Sequence, residues 1–152
     1  MTPAIRLLER EGVTFTQHPY EHAADAESFG EEAAAKLGVP AERVFKTLVC
    51  DADGLVMVLI PSSARLNVKA LAKARGVKKA DLADPEKAER TTGYVVGGIS
   101  PLGGRKRLPV LADASISGHE SVFVSAGVRG LQIELSPADL LRLTGAETAA
   151  LT

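Results

Sequence analysis

Residues 89–109 read Glu-Arg-Thr-Thr-Gly-Tyr-Val-Val-Gly-Gly-Ile-Ser-Pro-Leu-Gly-Gly-Arg-Lys-Arg-Leu-Pro, a glycine- and proline-punctuated loop between two apolar runs. Gly97, Gly98, Gly103 and Gly104 bracket Ile99-Ser100-Pro101-Leu102. Glycine lets a backbone approach a ligand closely or take positive φ, and Pro101 stiffens the middle, so the segment can present main-chain N–H groups in a fixed geometry. Such a cradle suits an oxyanion, a carbonyl or a phosphate. The same composition also serves a tight connection that needs glycine only for its turns. Arg105-Lys106-Arg107 follows directly and is the best candidate in the chain for meeting phosphates.

Lys46 is the sharpest single position. Strand alternation sets it on one face with Val44, Leu48 and Cys50, an apolar row that a solvated lysine does not normally join unless it snorkels from an edge strand. Tyr20, one of two tyrosines, lies in a His-Pro-Tyr-Glu-His turn, as a pocket residue or as an ordinary half-buried aromatic. His18 and His22 tempt a metal reading, but Pro19 breaks the helix that would align them and no other His or Cys is near in sequence, so no metal site is expected. No Gly-x-Ser-x-Gly, His-Glu-x-x-His or phosphate-binding P-loop pattern occurs. Cys50 sits mid-strand rather than at an activating helix N-terminus.

Bulk properties narrow the class. A chain of 152 residues fits one domain, here 1–152, large enough to bury a core without disulfides or metals. Its longest apolar stretch is far short of a bilayer span, its start lacks a signal-peptide layout, and its lone cysteine suits a reducing compartment; a cytoplasmic protein without membrane association is expected. The net charge of −1 conceals an asymmetry: residues 62–109 carry eleven Lys/Arg against four Asp/Glu, or +7, leaving −8 elsewhere. A chain-wide basic coat is absent, which argues against general DNA binding, while one basic sector around the glycine loop remains for local phosphate contact. Taken singly, Lys69, Lys73, Arg75, Lys78 and Lys79 fit a solvated helix and its exit.

The elements that must position these residues are punctuated by caps. Thr2-Pro3 to Gly12, Glu27 to Leu37, Asn67 to Gly76, Asp84-Pro85 to about Thr91 and Ser136-Pro137 onward predict helices. Arg43–Asp51 and Leu55–Ile60, joined across Asp51-Ala52-Asp53-Gly54, predict a central hairpin with both faces apolar. Further strands are expected at 13–18, near 94–96, and at 108–112, 121–125 and 131–135. Consecutive strands with helices spread around them predict an α+β fold, one mixed and curved sheet rather than a repeated βαβ winding.

Order and spacing carry a wider likeness. The opening Thr-Pro-Ala, His-Pro-Tyr-Glu-His at 18–22, Val-Phe-Lys-Thr-Leu at 44–48, the glycine loop with its Thr-Gly-Tyr approach and Arg-Leu-Pro exit, and Arg-Gly-Leu-Gln-Ile-Glu-Leu at 129–135 together resemble the YbaK/EbsC family over essentially the whole chain. Those proteins are free-standing relatives of the editing domain inserted in bacterial prolyl-tRNA synthetases. The resemblance implies a barrel-like mixed sheet flanked by helices and deacylation of Cys-tRNA(Pro), with Cys-tRNA(Cys) as a further substrate, by cyclisation through the substrate's own thiol. It also implies the acceptor end of aminoacyl-tRNA as ligand, prolyl-tRNA synthetase as a potential partner, and no cofactor. By that likeness Lys46 holds the aminoacyl end, Gly97 and Gly98 offer N–H groups to the substrate carbonyl, Pro101 stiffens their loop, and Tyr20 and Ser125 line the pocket. One departure stands out: relatives of the deacylase type often carry Asp after Arg-Gly-Leu, where this chain has Gln132, a neutral amide able to bond an amine or a ribose hydroxyl. Two alternatives remain: the sister activity, water-mediated hydrolysis of Ala-tRNA(Pro) as in the synthetase-inserted domain, and, from another class, a non-catalytic module that binds a tRNA end or a nucleotide.

Overall fold

The computed structural model describes residues 1–26 and 28–152; the expected helix start at Glu27 lies outside them. Among the described residues five α-helices flank two sheets. The five-stranded mixed sheet runs β4 (Asp81–Leu82), β2 (Phe45–Asp51), β3 (Leu55–Pro61), β5 (Val110–Asp113), β8 (Glu147–Ala149). The three-stranded antiparallel sheet runs β1 (Thr16–Pro19), β7 (Leu131–Leu135), β6 (Val122–Ser125). Among the described residues one isolated parallel bridge, Val44 to Phe123, spans the seam between them. The expected barrel-like wall is therefore present as two sheets with a gap.

The hairpin forms as its pattern requires, Phe45 facing Pro61 and Asp51 facing Leu55 in antiparallel register. Alternation sorts its side chains into two cores. Phe45, Val49, Met57 and Leu59 face the larger one, shared with Ile133, Leu135 and Leu140, while Cys50, Val56, Val58 and Ile60 pack with Leu71 on the other side. β3 in turn lies parallel to β5, which brings the C-terminal half beside the hairpin.

Helix boundaries follow cap chemistry. Thr2, Asn67, Asp84 and Ser136 each accept a backbone N–H from the first turn of α1 (Pro3–Glu11), α3 (Val68–Arg75), α4 (Pro85–Thr92) and α5 (Pro137–Thr144). α2 (Phe29–Leu37) ends at Gly38 in the left-handed conformation. The expected strand near 94–96 is not formed. Gly93 and Gly97 both hold positive φ, and the turn Gly98 N–H to Val95 O (2.8 Å) folds the run back on itself. The buried Tyr94 hydroxyl donates to Leu102 O (2.8 Å), closing the loop as one unit.

Candidate active site

A cavity of about 580 Å³ opens where the two sheets part. β2 pairs with β4 at Cys50 and Asp51 alone, and toward β6 it has no paired ladder, with an isolated bridge from Val44, just before it, to Phe123, so the stretch from Phe45 to Leu48 lines the cavity. The glycine loop closes one side, β6 and β7 the back, and the start of α2 with the turn after β3 the mouth.

Lys46 enters this cavity half-buried, without a salt bridge among the described residues. Burial is the main cause holding its ammonium below the ordinary lysine range; the nearby Arg65 charge acts the same way and Glu31 opposes it. Ser125 and Gln132 stand directly opposite each other on β6 and β7 and both line the wall. The Ser125 hydroxyl donates to Gly98 O (3.0 Å) and accepts from Gly127 N–H (3.1 Å), tying the back wall to the glycine loop.

Two acceptors stand unanswered. Gln132 is only 7% exposed, yet among the described residues its Oε1 has no hydrogen-bond partner, and neither has the buried Oγ1 of Thr47, another wall residue. Leaving a buried polar atom unpaired costs about 1–3 kcal/mol, a penalty that a ligand N–H or O–H removes. Tyr20 packs on the cluster of Ala33, Ala34, Val44 and Phe123 and does not line the cavity. Its backbone N–H donates to Gly130 O (2.9 Å). Burial pushes the phenol up, while the Gly130 backbone and the Gln132 side chain pull against that rise.

The two loop glycines differ. Gly97 lines the cavity at φ +91°, and its N–H has no protein partner among the described residues. The Gly98 N–H is already donated to Val95 O, so it is not free to meet a substrate carbonyl; a Cβ at Gly98 would lie 3.0 Å from the Val128 and Arg129 backbone, which makes its role close loop packing. Arg129 locks the arrangement by donating from Nε and Nη2 to Val96 O (3.1 and 2.6 Å) while its guanidinium lies 4.8 Å over the Phe29 ring.

Gly97→Ala tests whether that loop serves a ligand. Its Cβ would lie 2.8 Å from Arg129 Nε and 2.9 Å from the Phe29 ring, at a φ that L-residues avoid by roughly 1–2 kcal/mol. A loss of a few degrees in melting temperature and a more than tenfold loss of activity are expected, since shifting the clamp shifts the cavity wall. A variant that melts early yet keeps its specific activity reduces Gly97 to a turn residue.

Other expected residues fall elsewhere. Pro101 is buried and, with Lys106 and Arg107, borders a separate cleft of about 140 Å³. Arg105, Lys106 and Arg107 are exposed beyond α4, where Arg105 and Lys106 N–H groups donate to Thr92 and Thr91 carbonyls, and none lines the larger cavity. His18 and His22 go to different carboxylates, Glu134 (2.8 Å) and Glu32 (2.7 Å), so they brace separate elements. Arg65, Thr47, Phe29 and Arg129 were missed by sequence pattern. Arg65 carried a signal of charge, standing in a run from Gly54 to Ala80 that contains no Asp or Glu, and Thr47 and Arg129 stand inside the motifs at 44–48 and 129–135 without any feature that marks them as wall residues.

Comparison with known proteins places this geometry. A family model described as an aminoacyl-tRNA editing domain matches residues 23–143. The chain is 38% identical to EbsC of Enterococcus faecalis, described as a candidate Cys-tRNA(Pro)/Cys-tRNA(Cys) deacylase, over 99% of this chain and 93% of that one. It is 28% identical to the multifunctional Ser/Thr-tRNA deacylase ProXp-y of Escherichia coli, over 94% of this chain and 87% of the relative. A crystal structure of a candidate trans-editing enzyme for prolyl-tRNA synthetase superposes with a TM-score of 0.87 at 26% identity, covering 100% of this chain and 98% of that one.

Proposed function

The chain belongs to the aminoacyl-tRNA editing domain family, and from that premise we propose that it is a trans-acting deacylase, one domain over residues 1–152, that clears Cys-tRNA(Pro). The observation that carries the reading is the convergence of Lys46, Gly97, Ser125 and Gln132 on one cavity. None of these is a protein nucleophile poised by a base. An aminoacyl ester is already reactive, so positioning and electrostatic help suffice.

In this reading the cysteinyl ester enters with its carbonyl between the Lys46 ammonium and the Gly97 N–H, which stabilise negative charge as it develops on the carbonyl oxygen. The unpaired Gln132 Oε1 and Thr47 Oγ1 accept from the substrate's amino group, and Tyr20 supports Gln132. The substrate sulfur attacks its own carbonyl carbon. A C–S bond forms, the bond from that carbon to the ribose oxygen breaks, and the thiol proton passes to the departing ribose oxygen. The products are a four-membered thiolactone and free tRNA, with no water consumed in the step. Ser125 holds the glycine loop in place through Gly98 O.

Alanine in the same cavity has no nucleophile, so discrimination is chemical. Size alone gives about 1–3 kcal/mol per methylene. The cavity and Lys46 address only the acceptor end, so tRNA(Pro) identity is supplied by prolyl-tRNA synthetase acting as partner in the cytoplasm. Among the described residues no helix is long and apolar enough to cross a membrane.

The test is a deacylation panel of Cys-, Ala-, Ser- and Thr-tRNA(Pro) and Cys-tRNA(Cys), with trace and with stoichiometric protein. Multiple turnover is expected with both cysteinyl substrates and little with the others. Preference for Ala-tRNA(Pro) would assign water-mediated hydrolysis instead, and release only at stoichiometric protein would leave a binding module.

A further inference from the structure

Arg65 stands at the cavity mouth, exposed, in the segment between β3 and α3. The turn closed by Ala64 N–H to Pro61 O (3.0 Å) sets it there, and the start of α2 abuts the same turn, since any Cβ at Gly30 would collide with the Ser62 side chain. Its guanidinium makes no salt bridge and no hydrogen bond among the described residues, and the sequence around it supplies no carboxylate from Gly54 to Ala80. Arg43, Arg129 and Arg142, by contrast, are each engaged by a carboxylate or a carbonyl.

Lys46 shares the cavity with Arg65 and feels its charge. Lys46 and Arg65 repel each other, and Glu31, which also lines the cavity and acts on Lys46 more strongly than Arg65 does, forms no salt bridge with either among the described residues, so a bound anion can draw on both cations. The ligand of the reading above brings one. A 3′-terminal nucleotide carries its 5′-phosphate one ribose away from the aminoacyl ester, so an ester seated at Lys46 delivers a phosphodiester to the mouth. A planar guanidinium with five free donors matches two phosphate oxygens better than a point charge does.

We propose that Arg65 is the phosphate-binding residue of this cavity, taking the phosphodiester of the 3′-terminal nucleotide while the ester lies at Lys46. The proposal rests on the deacylase reading for its ligand. It moves phosphate recognition from the Arg105-Lys106-Arg107 triplet, which does not line the cavity, to a residue that does. Arg65 acts here as a positioning residue: it fixes where the terminal nucleotide sits and takes no part in bond making.

Adenosine 5′-monophosphate and adenosine, compared by calorimetry, isolate the contribution of one phosphate without any chemistry. The parent protein is expected to bind the monophosphate at least about tenfold more tightly, as a charge-assisted hydrogen-bonded pair provides. Arg65→Ala is expected to erase that advantage by weakening the monophosphate alone, and Arg65→Lys to restore part of it. With Cys-tRNA(Pro), Arg65→Ala should raise KM about tenfold and leave kcat within about twofold, the signature of lost uniform binding. Equal binding of the two ligands by the parent, or an undiminished phosphate advantage in Arg65→Ala, overturns the proposal. The nucleotide comparison does not depend on turnover: parent-level deacylation by Lys46→Ala would remove the mechanism yet leave the Arg65 result standing.

Discussion

Lys46→Ala is expected to lower the rate of Cys-tRNA(Pro) deacylation by about 10²–10³-fold, the usual cost of deleting one preorganised group at a developing oxyanion. The fold should survive. Lys46 has no ion-pair partner among the described residues, so its removal strands no buried counter-charge, and the β2–β3 ladder that holds the strand is made of backbone bonds. The pH dependence carries a sign. The ammonium is held below the ordinary lysine range, chiefly by burial, so the charged form that the mechanism needs is lost at lower pH than for a solvated lysine. The rate advantage of parent over Lys46→Ala should be full below that lowered pKa and should collapse as pH rises through it. Parent-like rates from a folded Lys46→Ala protein would remove Lys46 from the chemistry.

The parts of the fold legible in sequence were those fixed by local physics. Asn67 and Gly76 bound α3 because an Asn side chain can take a first-turn N–H and glycine tolerates left-handed φ. The central hairpin was legible because β3 is buried along almost its whole length and β2 at Phe45, Val49 and Cys50, which demands apolar residues on both faces. Val95 and Val96 misled. β-branched residues favour strands, but here they sit exposed in a loop whose path is set by Gly93, Gly97 and the distant acceptor Leu102 O. The short edge strands β4 and β8 were invisible, since two or three residues give no periodicity and their pairing depends on partners far along the chain.

The site divided in the same way. Lys46 was legible as a charge in an apolar row, and Gly97 as a glycine beside a stiffened turn. Gly98 was misjudged because composition does not reveal that its N–H closes a turn to Val95. The clamp of Arg129 on Val96 O and Phe29 joins three distant segments, and nothing local in any of them announces the contact. Arg105-Lys106-Arg107 adjoins the glycine loop in sequence but, beyond Gly103 and Gly104, the chain carries it away from the cavity.

Blocking the substrate's thiol is expected to abolish deacylation, and deleting the protein's own thiol to leave it near the parent rate. Cys50 is fully buried on the far face of the hairpin, among Val56, Val58, Ile60 and Leu71, and does not line the cavity. Burial, with Asp81 nearby, pushes its thiol up to about 12, so almost no thiolate exists at neutral pH. The substrate sulfur is tethered beside the ester and acts at the effective concentration of an intramolecular group, which lowers a barrier by roughly 7–11 kcal/mol when geometry is good. Strain in a four-membered ring takes back part of that gain. Cys50→Ala removes one buried sulfur, for a cost of about 1 kcal/mol in stability and none in chemistry.

Substrate-assisted cyclisation stands or falls on multiple-turnover release of tRNA by trace parent protein from three substrates: Cys-tRNA(Pro), the same tRNA with its cysteinyl sulfur methylated, and Ser-tRNA(Pro), which matches cysteine in size but offers a poorer nucleophile. Many turnovers with the free thiol, and release near background from the other two, are predicted. Equal release from cysteinyl and S-methylcysteinyl tRNA would contradict substrate-assisted cyclisation and return the reaction to water or to a group on the protein.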